Sequence, residues 1–545
     1  MKIPKLIFSS LSNFERKLFI ALFVLFLIAV ASRGVIAINK NSNFVPVKGG
    51  YYKEGVVGQP TALNPIISDK SVDQALGSLV YATIEDLKSN IEVKNGAKTY
   101  ILKLKEDLKW SDDKPLTSDD VVFTIKTIQN PEIQSPYYKT WKGVVIERIS
   151  ELQIKFTLPG PYVYFENNIN DLPVIPKHIF GEIPASNIRL SSYNLEPISS
   201  GPYVFKDFSK KRNGFITEYH FKTNNKFAGE KPYIKDFYFR FYKNDAELLS
   251  DFKTRKIDGF SLSGLPDERV KKLPKAVIEH VSIPRYYATF FNPKSTSILK
   301  NDEFRKALSV SIDRKELANE ILSNDTKALN SLADLIKENP VLPPNKKEAK
   351  KIISEVKEDH EKELTFEIIV PEVDFIKETA EFIKEDWESI GIDNVQVVSL
   401  KSNDFHDAVI RERNYEAVIF GNVLKNSLDL FPFWHSSERF YPGFNLSFYS
   451  NDKVDTILEN IRQTEDEEKR KQEFLKASKI IHDDYPAVFL YSLPYTYVHH
   501  ERLYGFEVSS DISSASDRFE SINKWYVSRA RVIKEDNTNT ASTAN

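Results

Sequence analysis

The residue types best suited to chemistry gather between positions 429 and 437, in a segment reading Asp429-Leu430-Phe431-Pro432-Phe433-Trp434-His435-Ser436-Ser437. Asp429 could pair with a cationic group such as an amine, or serve as a turn carboxylate or helix cap. Trp434 could form an apolar wall with its indole N–H free for a polar group, or pack in a core. Phe433 and His435 extend the same loop. Two glycines are placed to let a backbone approach closely, Gly58 within Val57-Gly58-Gln59 and Gly421 within Phe420-Gly421-Asn422, or to act as ordinary turn residues. Catalytic signatures are absent: the sequence holds no G-x-S-x-G elbow, no H-E-x-x-H pair and no phosphate loop, and Gly259-Phe260-Ser261-Leu262-Ser263 misses the elbow by its last residue. His499 and His500 would point to opposite faces of a strand, and the 9 histidines are scattered, which favours satisfied or solvated imidazoles over a metal site. Glu465 to Lys471 reads as a solvated helix face. No catalytic residue, metal or cofactor is expected.

These residues must be held by a large scaffold. At 545 residues the chain allows about three structural units, so at least two lobes are expected. With 41% hydrophobic residues, including 37 Phe and 25 Tyr, most of it can bury enough apolar surface to fold. A net charge of −2 supplies no field to attract a phosphate backbone, which excludes nucleic acid as a natural partner. The lack of cysteine excludes disulfides, thiolate chemistry, Cys-ligated metals and a lipid-modified N-terminal cysteine.

Lys2, Lys5, Arg16 and Lys17 precede an apolar run from Leu18 to Ala31, with Arg33 and Gly34 before Val35 to Ile38. That charge order marks a membrane-directed segment. The uninterrupted run reaches only about 21 Å, whereas Leu18 to Ile38 would reach about 31 Å. Both a signal peptide, cleaved after Ala37, and an uncleaved anchor fit residues 1–38, and the long polar lead favours the anchor. Residues 39–50 read as a polar linker and 533–545 as a disordered tail.

Within the body, strand and helix patterns mix without a fixed repeat, which predicts an α/β protein with mixed sheets. Tyr100 to Leu104 and Glu151 to Leu158 alternate as strands. Thr117 is placed to cap a helix, with Asp120 completing a capping box and Val121, Val122, Ile125 and Ile128 facing inward. Phe304 to Ile312 and Phe382 to Ile390 read as helices, and Val418 to Phe420 and Val488 to Tyr491 as buried strands.

In order, Leu63-Asn64-Pro65, Leu108-Lys109-Trp110-Ser111-Asp112, Asp119-Asp120-Val121-Val122-Phe123, Ile175-Pro176-Lys177-His178, Ser200-Gly201-Pro202-Tyr203, Lys256-Ile257-Asp258, Phe304-Arg305-Lys306-Ala307-Leu308 with Ile312-Asp313-Arg314, and Ser450-Asn451 with Val454-Asp455 resemble the peptide-binding proteins of oligopeptide and dipeptide ABC importers. The resemblance implies a two-lobed, periplasmic-binding-protein-like hinged trap with an extra subdomain in the first lobe. Residues 51–285 would be lobe I, 286–493 an inserted lobe II and 494–532 the return, with crossings near Tyr286 to Asn292 and Pro486 to Leu493. It places ligand between Val57-Gly58-Gln59 and Phe420-Gly421-Asn422. In the family an acid soon after that strand meets the ligand's amine; here Lys425 and Asn426 occupy the nearby places, and Asp429 is the substitute. Two stretches are shorter than in the family, Ala82 to Thr99 and Leu322 to Leu342, so part of the first sheet could be lost and the cleft reshaped.

The function so implied is non-catalytic, extracytoplasmic capture of short peptides for an ABC-type permease, by a monomer held at the membrane through its N-terminal helix. Other readings keep the fold with another solute, such as nickel chelate, haem or sugar, or make the chain a surface-anchored interaction protein that no longer delivers solute.

Overall fold

Among the described residues, alternating and wholly apolar runs assemble into three β-sheets and a short ribbon. The computed structural model describes residues 12–40, 42–68, 70–262, 268–322, 326–358, 363–424, 428–508 and 514–533. Lys2, Lys5, Ser263, residues 323–325, Lys425, Asn426 and the tail from 534 onward lie outside these.

The first sheet has seven strands, in the order Ala276–Val281, Tyr495–His500, Gly259–Leu262, Tyr51–Val57, Asp236–Tyr242, Ile216–Thr223 and Tyr203–Lys210. Tyr51–Val57 runs parallel to both of its neighbours, and the outer pairs are antiparallel. The second sheet orders Lys327–Ala328, Ala487–Ser492, Arg285–Phe291, Ala417–Val423, Thr365–Pro371 and Asn394–Leu400. Every residue of Ala487–Ser492 is buried, as a strand covered on both faces requires. Four antiparallel strands, Lys88–Lys94, Thr99–Leu104, Gln153–Thr157 and Val145–Ser150, make the third sheet, the extra subdomain of the first lobe. The shortened stretch after Tyr81 therefore still supplies a strand, Lys88–Lys94, paired with Thr99–Leu104.

Local signals explain the helices on these sheets. Thr117 caps Ser118–Ile128, accepting from the Asp119 amide, and Asp120 closes the capping box. Val121, Ile125 and Ile128 are buried as anticipated, whereas Val122 is only half-buried and Thr124 takes the inner place, its hydroxyl donating to the Asp120 carbonyl. Asn301 caps Asp302–Ser311, and Asp374–Ser389 ends at Gly391. Trp387 from this second helix is fully buried and donates to the Leu308 carbonyl at 2.9 Å, so its polar atom does not go unpaired.

Buried Glu54 ties the chain's return to the first sheet: Arg518 donates to it at 2.8 Å and Tyr497 donates its hydroxyl. Residues 39–50 depart from the linker reading. Ser42–Pro46 is a strand paired antiparallel with Arg529–Ile533, because Phe44 and Val45 favour extended backbone and the C-terminal Arg/Val run offers a matching partner. Before it lies the helix Asn13–Lys40, with Leu18 to Val30 exposed. Among the described residues no helix is long and apolar enough to cross a membrane.

Candidate ligand-binding site

Two short crossings join the main sheets. Ser282–Pro284 separates Ala276–Val281 in the first from Arg285–Phe291 in the second, and Leu493–Pro494 separates Ala487–Ser492 from Tyr495–His500. Both lie a few residues away from the positions anticipated, since Tyr286–Phe291 and Ala487–Ser492 belong wholly to the second sheet. The crossings are clasped together: Arg285 donates to the Leu493 carbonyl at 3.1 Å, and the Leu424 amide donates to the Pro284 carbonyl at 2.8 Å.

Against this hinge lies a cavity of about 550 Å³. Ile283, Pro284 and Ser492 form its base, Val163, Tyr164 and Asn167 come from the first lobe, and the second lobe supplies the rest. Leu335, Ile336, Leu424, Leu428 and Phe474 form an apolar wall, with Lys327, Glu467, Arg470 and Lys471 among them. Lys471 is neutralised by Glu467 at 2.9 Å. Arg470 lies 5.3 Å over the Tyr164 ring and donates to the carbonyls of Thr464 and Glu465. Among the described residues Lys327 has no carboxylate within 4 Å, and with Arg470 it makes this part of the lining basic. The size is that of a small-molecule or short-peptide pocket.

Sequence reasoning missed this lining. Glu467, Arg470 and Lys471 fall in the segment read as a solvated face; the usable signal was Phe474, an aromatic one turn beyond Arg470 on the helix Glu467–Asp483.

The structure uses most of the anticipated residues otherwise. Asp429 is bound by Arg462, Nη2 to Oδ2 at 2.6 Å, accepts from the Tyr162 hydroxyl at 3.1 Å and from the Phe431 amide, so it has no place left for a ligand's amine. Burial works against the charge on Arg462, but the Asp429 carboxylate outweighs it and raises the guanidinium pKa. Trp434 is fully buried between Phe290, Tyr449 and Phe489 and gives its N–H to the Tyr286 hydroxyl at 3.0 Å, which makes it core and not a cavity wall. Asn422 donates to the same hydroxyl at 2.9 Å. Phe433 packs half-buried on this cluster, and His435 stacks on Phe431 at 3.9 Å and accepts from the Ser437 amide.

Phe420 stacks on Phe405, and Gly421 lies so close under Tyr287 that a Cβ there would sit 2.6 Å from the ring. Gln59 is held at both ends of its amide by Ile216, and Gly58, at φ +123°, donates to the Tyr242 carbonyl, while Val57 is partly exposed at the strand end. None of these ten residues lines the cavity; Leu424 and Leu428, just beyond the second glycine strand, do.

The lobes also meet beside the cavity. The Val163 amide donates to the Arg462 carbonyl at 2.8 Å, Arg462 lies 5.0 Å over Tyr162, and Lys139 pairs with Glu438 at 2.6 Å.

Residues 83–439 match the profile of bacterial extracellular solute-binding proteins, family 5 middle region. The oligopeptide-binding protein AppA of Bacillus subtilis is 23% identical over 489 residues, 83% of this chain and 88% of that protein. Its structure in complex with a nonapeptide aligns with a TM-score of 0.72 at 21% identity, covering 89% of this chain and 100% of the other. The ABC transporter substrate-binding protein CtaP of Listeria monocytogenes aligns with a TM-score of 0.75 at 25% identity, over 90% of this chain and 100% of that one.

Proposed function

The chain belongs to family 5 of the bacterial extracellular solute-binding proteins, and we propose that it captures short peptides without catalysis, outside the cytoplasm, for delivery to the permease of an ABC-type importer. The observation that carries the reading is the cavity at the hinge, whose base is the two crossings and whose walls come from both lobes. A solute bound there touches both lobes and so stabilises their closed arrangement. Lys327 and Arg470 suit a ligand carboxylate, and Leu424, Leu428 and Phe474 suit an apolar side chain. In this reading the chain before the crossing Ser282–Pro284 and after the crossing Leu493–Pro494 acts as one lobe and the stretch between them as the other, close to the 51–285, 286–493 and 494–532 division.

Membrane attachment belongs to the same proposal. Basic Arg16 and Lys17 followed by an apolar run exposed on all sides support a helix that directs the chain to the membrane and stays embedded there, holding a monomer.

Native mass spectrometry of the purified chain, with thermal unfolding against pooled peptides, tests the capture reading. A ligand at 100 times its Kd adds about 2.7 kcal/mol to stability. Co-purified peptide, or a raised midpoint, supports peptide capture. A folded protein with neither bound mass nor a shift across the pool overturns it.

A further inference from the structure

The paired strands Ser42–Pro46 and Arg529–Ile533 stand apart from the three large sheets, and a two-stranded ribbon alone is at best marginally stable in water. Its register sorts the side chains by face. Phe44 pairs with Arg531 and Pro46 with Arg529 on one side, while Asn43 pairs with Val532 and Val45 with Ala530 on the other. Both sides are open: Phe44 is 50%, Val45 38% and Val532 49% exposed. One face, with Val45, Ala530 and Val532 beside Asn43, is therefore mainly apolar, and the other carries two guanidiniums over one ring, Arg529 at 4.1 Å and Arg531 at 4.9 Å from Phe44. Neither arginine has a carboxylate within 4 Å among the described residues.

The sequence that flanks the two strands is one-sided in charge. No acidic residue occurs between Glu15 and Glu54, nor between Glu520 and Glu535, although the chain as a whole has 77 among 545 residues. At that average the two stretches would hold several. They hold instead Arg16, Lys17, Arg33, Lys40, Lys48, Lys53, Lys524, Arg529, Arg531 and Lys534. The ribbon also begins two residues after the exposed apolar helix ends at Lys40.

We propose that this ribbon is a seat for an anionic lipid surface, with Val45 and Val532 entering the acyl boundary and Arg529 and Arg531 meeting headgroup phosphates. A bilayer interface supplies what each face lacks: apolar cover for one, and bidentate oxyanion partners for the other. Phe44, stacked by both arginines, suits the headgroup level. The seat would set the height and orientation of the binding lobes above the membrane. The inference rests on the proposed membrane attachment of the helix Asn13–Lys40, and it adds to the dependence on lipid charge that Arg16, Lys17, Arg33 and Lys40 of the helix already give.

The test is flotation of the full chain with vesicles of phosphatidylcholine alone and with vesicles that contain phosphatidylglycerol. Helix insertion gives binding to both; the ribbon adds preference for the anionic vesicles, about fivefold for each basic residue and so about 30-fold for two. The double variant Arg529→Gln/Arg531→Gln is expected to reduce that preference by about 30-fold, leaving the part due to the helix, while keeping its binding to phosphatidylcholine, and Arg529→Lys/Arg531→Lys to retain most of it. Equal flotation of the native chain on both vesicles, or an unchanged preference in the Gln variant, overturns the seat but leaves helix attachment standing. Absence of flotation on either vesicle overturns both, and peptide capture is measured independently of all of these.

Discussion

Arg462 holds Asp429 through both Nε and Nη2, the latter 2.6 Å from Oδ2, and presents the pair to Tyr162 of the opposite lobe. The acid comes from the segment after Ala417–Val423 and the base from the helix Asp452–Gln463, so the ion pair first fixes the second lobe and then serves as its docking point. An acid that the family resemblance offers as a substitute partner for a ligand's amine is thus engaged by the chain's own cation.

Replacement of Asp429 by Asn is expected to destabilise the fold by about 3 kcal/mol, because it leaves a mostly buried guanidinium without its counter-charge. Urea unfolding measures this, and Asp429→Asn/Arg462→Met should recover much of the loss. Affinity for N-acetylated and free-amine peptides should change equally in Asp429→Asn; a selective loss for free amines would show that Asp429 meets the ligand after all.

Tyr286 makes a second such test. Its hydroxyl is the acceptor for both Asn422 and Trp434 in a buried site. Tyr286→Phe removes one oxygen and leaves two buried donors unpaired, at about 1–3 kcal/mol each. Trp434→Phe removes only one donor and keeps most of the packing, so its midpoint in denaturant should fall less.

Much of the scaffold is legible from local pattern: the Thr117 cap, the alternation at Tyr100 to Leu104 and the apolar run at Val488 to Tyr491 each specify their element without knowledge of the rest. The site is not legible in that way. Asp429, Trp434 and Asn422 are chemically conspicuous, but their partners, Arg462 and Tyr286, lie 33 or more positions away and take up their hydrogen bonds. Lys327, Leu424 and Arg470 look ordinary in sequence and become a lining only when the hinge brings three distant segments together. The ribbon escaped notice for the same reason, since Phe44 and Val45 look like a linker until Arg531 and Ala530 arrive from the other end.

Gly421 separates a packing role from a ligand role. In Gly421→Ala the new methyl meets the Tyr287 ring at 2.6 Å, an overlap expected to cost about 1–3 kcal/mol as the ring shifts. Tyr287→Ala in the same chain should remove the added penalty, as a double-mutant cycle in thermal unfolding would show. Persistence of the penalty would mean that backbone conformation, not the ring, requires glycine.

Acidification should weaken the fold through two histidines. Burial first, opposed by Asp483 for His482 and by the Phe252 carbonyl for His500, holds both pKa values below the ordinary 6.5. Above 6.5 both forms of the chain are neutral at these sites and stability is complete; below it the unfolded chain takes up protons that the folded chain resists, so stability falls until the lowered folded values are reached. The midpoint in urea should therefore drop from pH 7.5 to pH 5.5, and His482→Gln should flatten that slope even where it lowers overall stability. An unchanged slope would place the proton uptake elsewhere.

Cavity charge makes the last prediction. Lys327 stands on the edge strand Lys327–Ala328 with no carboxylate within 4 Å among the described residues, and Arg470 is oriented by Tyr164 and two carbonyls, so a ligand carboxylate between them would gain charge-assisted hydrogen bonds. Such a bond contributes about 1.5–3 kcal/mol, roughly ten- to a hundredfold in Kd. Lys327→Ala should weaken peptides with a free carboxyl end by about that factor in titration calorimetry and leave their C-terminal amides nearly unaffected. Equal loss for acid and amide would mean that Lys327 shapes the cavity without reading its charge, and the carboxylate would then have to be sought at Arg470.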